Sequence, residues 1–363
     1  MQKKLIALAI ASTLSTAAFA DNSNVTIYGK ADVSYDFINT GTTAAGVAGV
    51  SKNAVSSNVS RLGFKGSEDL GDGLSAIWQI EQQINIDTGA NTLATRNTFL
   101  GLKSKSMGTV LMGRHDTPYK LATRTLDIFG DSIADNRALM GGVTAQTVDS
   151  AASAFDGRPT DVIAYLTPNM GGFSGAIAYV NLTEANATAA APKASALSLS
   201  GSYKVDAFYG ALGYEEHKLD TVLVGGKESA WKLGLGYDID ALGLGFVYEK
   251  TSDNLTPVTR ADLNGHNAYY LSAKYKMGMN AIKAAYGKSG QLGARLNTGA
   301  NQFSLGYDHG LSKRTKLYAI YSRISNQTAA DYGFSQSTAA GASSRAGVGA
   351  SPSVISLGMQ HTF

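Results

Sequence analysis

The chain has 363 residues, with no Cys, 41 Gly, 6 Pro, 18 Tyr and 12 Phe, and only 16% of its residues are charged. That length supports one large domain or two ordinary ones and excludes a disulfide-stapled miniprotein. The balance of 31 basic against 28 acidic residues, a net +3, lacks the basic excess of a nucleic-acid binder and the charge excess of a disordered tail.

The first element is an export signal. Lys3 and Lys4 precede an apolar run over 5–14, and Ala18-Phe19-Ala20 has the small-x-small form of a cleavage site, so residues 1–20 are predicted to be a signal peptide. A membrane anchor needs about 20 apolar residues, and Ser12, Thr13, Ser15 and Thr16 interrupt this one too early. The mature chain is then 21–363, a single domain, and loss of the two lysines takes its charge to +1. A chain without Cys suits passage through an oxidising periplasm.

Beyond residue 21 the dominant period is two. Leu197, Leu199 and Tyr203 alternate with Ser198, Ser200 and Lys204; Trp231, Leu233, Leu235 and Tyr237 with Lys232, Gly234 and Gly236. The pattern repeats in Tyr269, Leu271 and Tyr275, in Phe303, Leu305 and Tyr307, and in Ile355, Leu357, Met359 and Phe363. Such alternation marks strands with one apolar and one polar face. Aromatic residues cluster at segment ends, as in the interfacial girdles of membrane barrels.

The connections favour a barrel over a soluble sandwich. Tight turns are predicted near 71–73, 106–108, 169–172, 205–206, 239–241, 277–279 and 310–315. Long polar loops are predicted near 40–57, 87–94, 115–157, 183–194, 218–228, 252–265, 290–299 and 326–349. Fifteen connections join sixteen strands, and an even number of strands with short turns at one end and long loops at the other is an outer-membrane pattern. Barrels of this size leave an aqueous channel. The predicted fold class is therefore all-β, a transmembrane 16-stranded antiparallel β-barrel.

The third long loop, 115–157, is too long for a plain connection. Residues 117–129 within it are compatible with a helix, with Pro118 near its first position and Gly130 beyond its end. From pattern alone this loop could fold outward or inward.

Several runs resemble trimeric general-diffusion porins of the neisserial and related β-proteobacterial type. They are Val25-Thr26-Ile27-Tyr28-Gly29, Ser60-Arg61-Leu62-Gly63-Phe64-Lys65-Gly66 with Ser67-Glu68-Asp69-Leu70-Gly71, Leu111-Met112-Gly113-Arg114, Tyr165-Leu166-Thr167-Pro168-Asn169, Leu311-Ser312-Lys313-Arg314-Thr315, and Gly358-Met359-Gln360-His361-Thr362-Phe363. Their order and spacing span the chain. The resemblance implies a homotrimer in the outer membrane of a Gram-negative bacterium, surrounded by lipids including lipopolysaccharide. It also implies that the third loop folds into the pore, and that Phe363 is read by the barrel-assembly machinery.

The resemblance further implies wall arginines opposite acidic groups of the third loop. Arg61 and Arg158 match two such wall positions, and period-two alternation adds Lys65 to the lumen side with Arg61. Alternation turns Arg96 away from the lumen, because Thr95 holds the position where some relatives carry a third wall arginine. Asp116, Asp127, Asp131 and Asp135 are the candidate acidic side, with Lys120 and Arg124 interleaved. Opposed charges across a water-filled gap would separate anion and cation paths.

Lys30, Lys204, Lys232, Lys274 and Lys283 also fall on predicted lumen faces, against Asp32, Asp36, Glu249 and Asp308. A modest anion preference follows. Gly234-Leu235-Gly236 and Gly243-Leu244-Gly245 lie inside alternating strands with no following helix, which fits strand curvature better than a phosphate loop. The five histidines are scattered without metal-ligand spacing, and no nucleophile-elbow pattern is present. No catalytic residue, metal or cofactor is expected. The leading function is passive diffusion of small solutes and ions. The alternative is a substrate-selective channel on the same fold, gripping its ligand through Tyr119, Phe129 or Phe155.

Overall fold

The computed structural model describes residues 25–89, 93–141, 155–182, 194–220, 225–253, 265–293, 295–334, 344, 345 and 347–363. The expected signal peptide, 1–20, lies outside the described residues. Seventeen strand segments form one sheet. The first six are β1 (Thr26–Asn39), β2 (Ser51–Ser57), β3 (Arg61–Gly71), β4 (Leu74–Gln83), β5 (Thr98–Ser104) and β6 (Gly108–Arg114). A short helix, α1 (Pro118–Thr123), follows in the third loop. Then come β7 (Val162–Leu166), β8 (Phe173–Asn181), β9 (Ala194–Val205), β10 (Phe208–Asp220), β11 (Gly225–Ile239) and β12 (Leu242–Asp253). The last five are β13 (Asn267–Met277), β14 (Asn280–Ser289), β15 (Ala300–Gly310), β16 (Thr315–Asn326) and β17 (Ser353–Thr362).

β2 and β3 are two halves of one barrel strand. β1 pairs with β2 over Val33 to Asn39 and with β3 over Thr26 to Lys30. Between the halves Val59 adopts a φ of 54°, a left-handed conformation that costs a β-branched residue energy and persists only where surroundings impose it. Asn58 supplies part of that restraint, donating from its backbone to the Asp32 carbonyl and from its side chain to Ser34 Oγ and the Tyr318 hydroxyl. The barrel therefore has 16 antiparallel strands, and β1 closes it against β17. Residues 51–57, expected in a loop, instead continue the second strand beyond its break.

The seven tight turns fall where their residues predict. Asp72, Asp206 and Asp240 take left-handed φ values of 51°, 45° and 50°, which aspartate tolerates better than most residues in two-residue turns. Alternation holds as well. Ile163 and Tyr165 are exposed while Val162 and Ala164 are buried, and Tyr35 and Phe37 are exposed while Ser34 and Asp36 are buried. The exposed set is apolar and the buried set includes Lys30, Asp32, Lys232 and Glu249. That inversion of a soluble protein's arrangement suits a wall with lipid outside.

The packed core lies inside the wall. Leu126, Phe129, Ile133 and Leu139 of the third loop cluster with Val247, Tyr270 and Ala285 of β12, β13 and β14. Phe363 closes the seam at the other end of the chain, exchanging backbone hydrogen bonds with Gly29 at 3.0 and 3.1 Å.

Candidate functional site: a charged gap between loop and wall

The third loop leaves β6 and enters α1 through Thr117, whose side chain accepts from the Lys120 N–H while Pro118 occupies the first turn. The helix stops after Thr123, shorter than the 117–129 expected. A single 3-10 turn, Arg124–Leu126, follows, and Asp127 is extended. The cause is Arg124, whose guanidinium folds onto three carboxylates: Asp127 at 3.2 Å, Asp131 at 3.0 Å and Asp135 at 2.7 Å. Bringing those aspartates around one fork requires a curled chain.

The loop is fastened to one wall. The Tyr119 N–H donates to Ser198 Oγ of β9 and its hydroxyl donates to Glu249 Oε2 of β12, at 2.9 and 2.8 Å. Tyr209, Tyr270 and Ser272 hydroxyls donate to Ala122 O, Asp127 Oδ1 and Leu126 O. Farther along, the Gly141 N–H donates to Glu249, and Lys232 pairs with Asp156 and Glu249. The wall is bare where the loop sits: a Cβ on Gly234 or Gly236 would lie 2.8 Å from Leu126 side-chain carbons. These glycines, expected to serve curvature, make room for the loop.

Across from the loop, Arg61 leads β3 immediately after the strained break and donates to Asp131 at 2.9 Å. Arg158 donates to Asn97 Oδ1 at 2.7 Å and to Asp116 Oδ2 at 2.9 Å. Arg96 also turns inward, onto Glu81, contrary to the expectation from alternation. The strand pairing that would carry that alternation ends at Gln79 and Phe99. Before it, Ala94 has a φ of 58°, so Arg96 lies outside regular strand geometry and its parity predicts nothing.

Between loop and wall lies a cavity of about 300 Å³. Arg61, Arg96, Lys120, Arg124, Arg137 and Arg158 line it, against the carboxylates of Asp116 and Asp131. Asp127 and Asp135 sit behind this surface with no side-chain exposure. Lys65 does not join the group. It lies four residues nearer the short turns, exposed, with its ammonium 5.2 Å from the Tyr28 ring centre.

The loop carboxyls differ in their ionisation. Burial opposes charge on Asp116, yet Lys120 and Arg158 hold its carboxyl below the usual carboxylate range. Burial likewise opposes charge on Asp131, and Lys30, Arg124 and Arg61 more than offset it. Asp135 is buried too, but Arg137 and Arg124 keep it well below the ordinary value. Burial, with the Asp135 carboxylate beside it, pushes Asp127 up to about 6.

Three residues join the site beyond those the sequence points to, Arg96, Glu81 and Arg137. Alternation gives Arg96 the opposite face. Glu81 shares the polar alternation of Gln79 and Gln83 in β4, so its inward direction was legible in the pattern. Arg137 offered no periodic signal, since it lies in a single 3-10 turn capped by Asp135. The aromatic residues of the substrate-selective alternative are packed away: Tyr119 is 0% exposed, Phe129 1% and Phe155 3%.

A closed 16-stranded barrel with an apolar exterior and a charged interior gap defines the class: an outer-membrane channel. The chain belongs to the family described as Gram-negative porin, whose pattern matches residues 6–329. It is 29% identical to outer membrane porin protein 32 of Delftia acidovorans over the full length of both chains. It is 30% identical to major outer membrane protein P.IB of Neisseria meningitidis, over 87% of this chain and 91% of that protein. Among solved structures, an anion-selective porin from Comamonas acidovorans matches with a TM-score of 0.80 at 26% identity, covering 94% of this chain and 100% of that one. The protein is thus a porin of the Gram-negative outer membrane, from a family of channels rather than enzymes.

Proposed function

We propose that the channel passes small hydrophilic solutes and ions by passive diffusion with a weak preference for anions, and that the third loop sets its narrowest section. The observation that carries this reading is the lining of the gap: six cationic side chains face it, against two carboxylates. Charges fixed across a narrow aqueous path bias which ions enter. The anion selectivity named for the Comamonas acidovorans structure agrees with that bias. Arg61, Arg96 and Arg158 form the basic side, and Asp116 and Asp131 the acidic side. Asp127 and Asp135 act from behind by holding Arg124, and Lys65 acts as an approach charge outside the gap.

The assembly we propose is a homotrimer, in keeping with the resemblance; OmpT of Vibrio cholerae, of the same fold, is described in a trimer form. Phe363, at the end of the closing strand, is proposed to be the signal for the barrel-assembly machinery. Single-channel recordings of Arg61→Ala and Arg158→Ala test the charge assignment. Each should lower anion preference while leaving the trimer band on unheated gels nearly unchanged. Loss of assembly with either substitution would make that arginine structural instead.

A further inference from the structure

We propose that the short-turn mouth of the barrel holds a second anion site, suited to multiply charged oxyanions such as linked phosphates and separate from the gap at the third loop. It is a cleft of about 330 Å³ lined by Lys274 and Lys276 of β13, Lys313 and Arg314 of the β15–β16 turn, and Lys316 of β16, with Asp308 as the acid among them. Short turns face the periplasm in outer-membrane barrels, so the site opens to that side.

Most of the charge there is unpaired. Asp308 meets Lys283 at 2.9 Å and Lys316 at 3.1 Å. Among the described residues, no carboxylate comes within ion-pair distance of Lys274, Lys276, Lys313 or Arg314. The gap at the third loop differs: Arg61 and Arg124 pair with Asp131, Lys120 and Arg158 with Asp116, Arg137 with Asp135 and Arg96 with Glu81. The cations of the gap are thus already occupied, whereas at the mouth Lys316 has Asp308 and the other four have no carboxylate partner among the described residues.

Lys274 of β13 and Lys283 of β14 are direct cross-strand partners on the inner face, and like charges directly opposite one another destabilise a sheet. Lys276, Lys313 and Arg314 are exposed and Lys274 half-buried, so their cationic ends are reachable from solvent. A multivalent oxyanion entering the cleft would relieve the repulsion while accepting charge-assisted hydrogen bonds from several lysines and the arginine fork. The low-dielectric walls around the mouth focus the field that draws it in.

This site adds to the proposed anion preference but does not depend on its sign. The test is isothermal titration calorimetry of the refolded full-length barrel with inorganic tripolyphosphate, each preparation first shown to form channels in a planar bilayer. The Lys274→Gln, Lys276→Gln, Arg314→Gln triple variant should lose about tenfold or more in affinity, the scale of one or two charge-assisted hydrogen bonds. Lys276→Gln alone should lose about threefold and Arg61→Gln less than about twofold, and binding should weaken with added KCl. Three results would overturn the site: no binding by the conducting native channel, native affinity in both mouth variants, or loss of binding with Arg61→Gln. A native preparation that forms no channel would contradict the porin assignment instead.

Discussion

Asp127 and Asp135 share Arg124, and the low-polarity space around them cannot hold both charges equally well. Asp135 takes a second cation, Arg137, and ionises first; Asp127 has only neutral additional donors, the Tyr270 hydroxyl and the Phe129 and Asn136 N–H groups. Its value of about 6 lies above the ordinary 3.8. Its contribution to folded-state stability is therefore present at low pH and lost as pH rises through about 4 to 6. Asp116, Asp131 and Asp135 behave in the opposite sense, stabilising above the ordinary carboxylate value and ceasing to do so as pH falls through their depressed ones. Lowering pH from 7 to 5 should remove the Asp127 charge first and raise anion preference, with a midpoint near 6. Reversal potentials across that range check this; Asp127→Asn should abolish the midpoint, and its persistence would assign the titration elsewhere.

Arg124 is the more severe single deletion at this scale. Replacing it by Ala strands carboxylates whose side chains are buried, a change of about 3–5 kcal/mol where a paired charge loses its partner. Because the loop and not the barrel depends on this fork, the loss should appear as local release. Limited proteolysis should cut residues 116–141 of Arg124→Ala faster than native, while the barrel keeps its resistance to unfolding by heat. Equal cutting rates would mean the hydroxyl contacts from Tyr209, Tyr270 and Ser272 hold the loop unaided.

At the scale of elements, the loop docks because the wall was cleared for it. Gly234 and Gly236 of β11 lie under Leu126, where a side chain would collide. Gly234→Val should lift the 3-10 turn and widen the gap, raising single-channel conductance without altering barrel assembly; unchanged conductance would show that the wall yields instead. Glycines inside alternating strands signal either curvature or close approach, and no sequence pattern separates the two when the approaching segment lies a hundred residues away.

The strands themselves were legible because lipid and water impose period two on every one. Ile163 and Tyr165 against Val162 and Ala164 is the rule in miniature. It failed where regular pairing ends: at Arg96, ahead of β5, and at residues 51–57, where a polar segment with weak alternation continues a strand past the Val59 kink. The helix of the third loop was placed correctly at Thr117 and Pro118 by local capping chemistry. Its end was not, since Arg124 is drawn to aspartates three to eleven residues onward, a tertiary preference that helix propensity does not contain.

For the molecule as a whole, a net charge near neutrality conceals a division. Apolar residues occupy the outer face, paired charges line the gap between the third loop and the wall, and unpaired lysines gather at the short-turn mouth. Ion preference is decided by how those charges are distributed along the path and not by their sum. The most direct test is the zero-current potential of the reconstituted native channel in a KCl gradient. The potential should have the sign of chloride preference, reduced in Arg158→Ala; a potential showing potassium preference in the native channel would contradict the charge assignment.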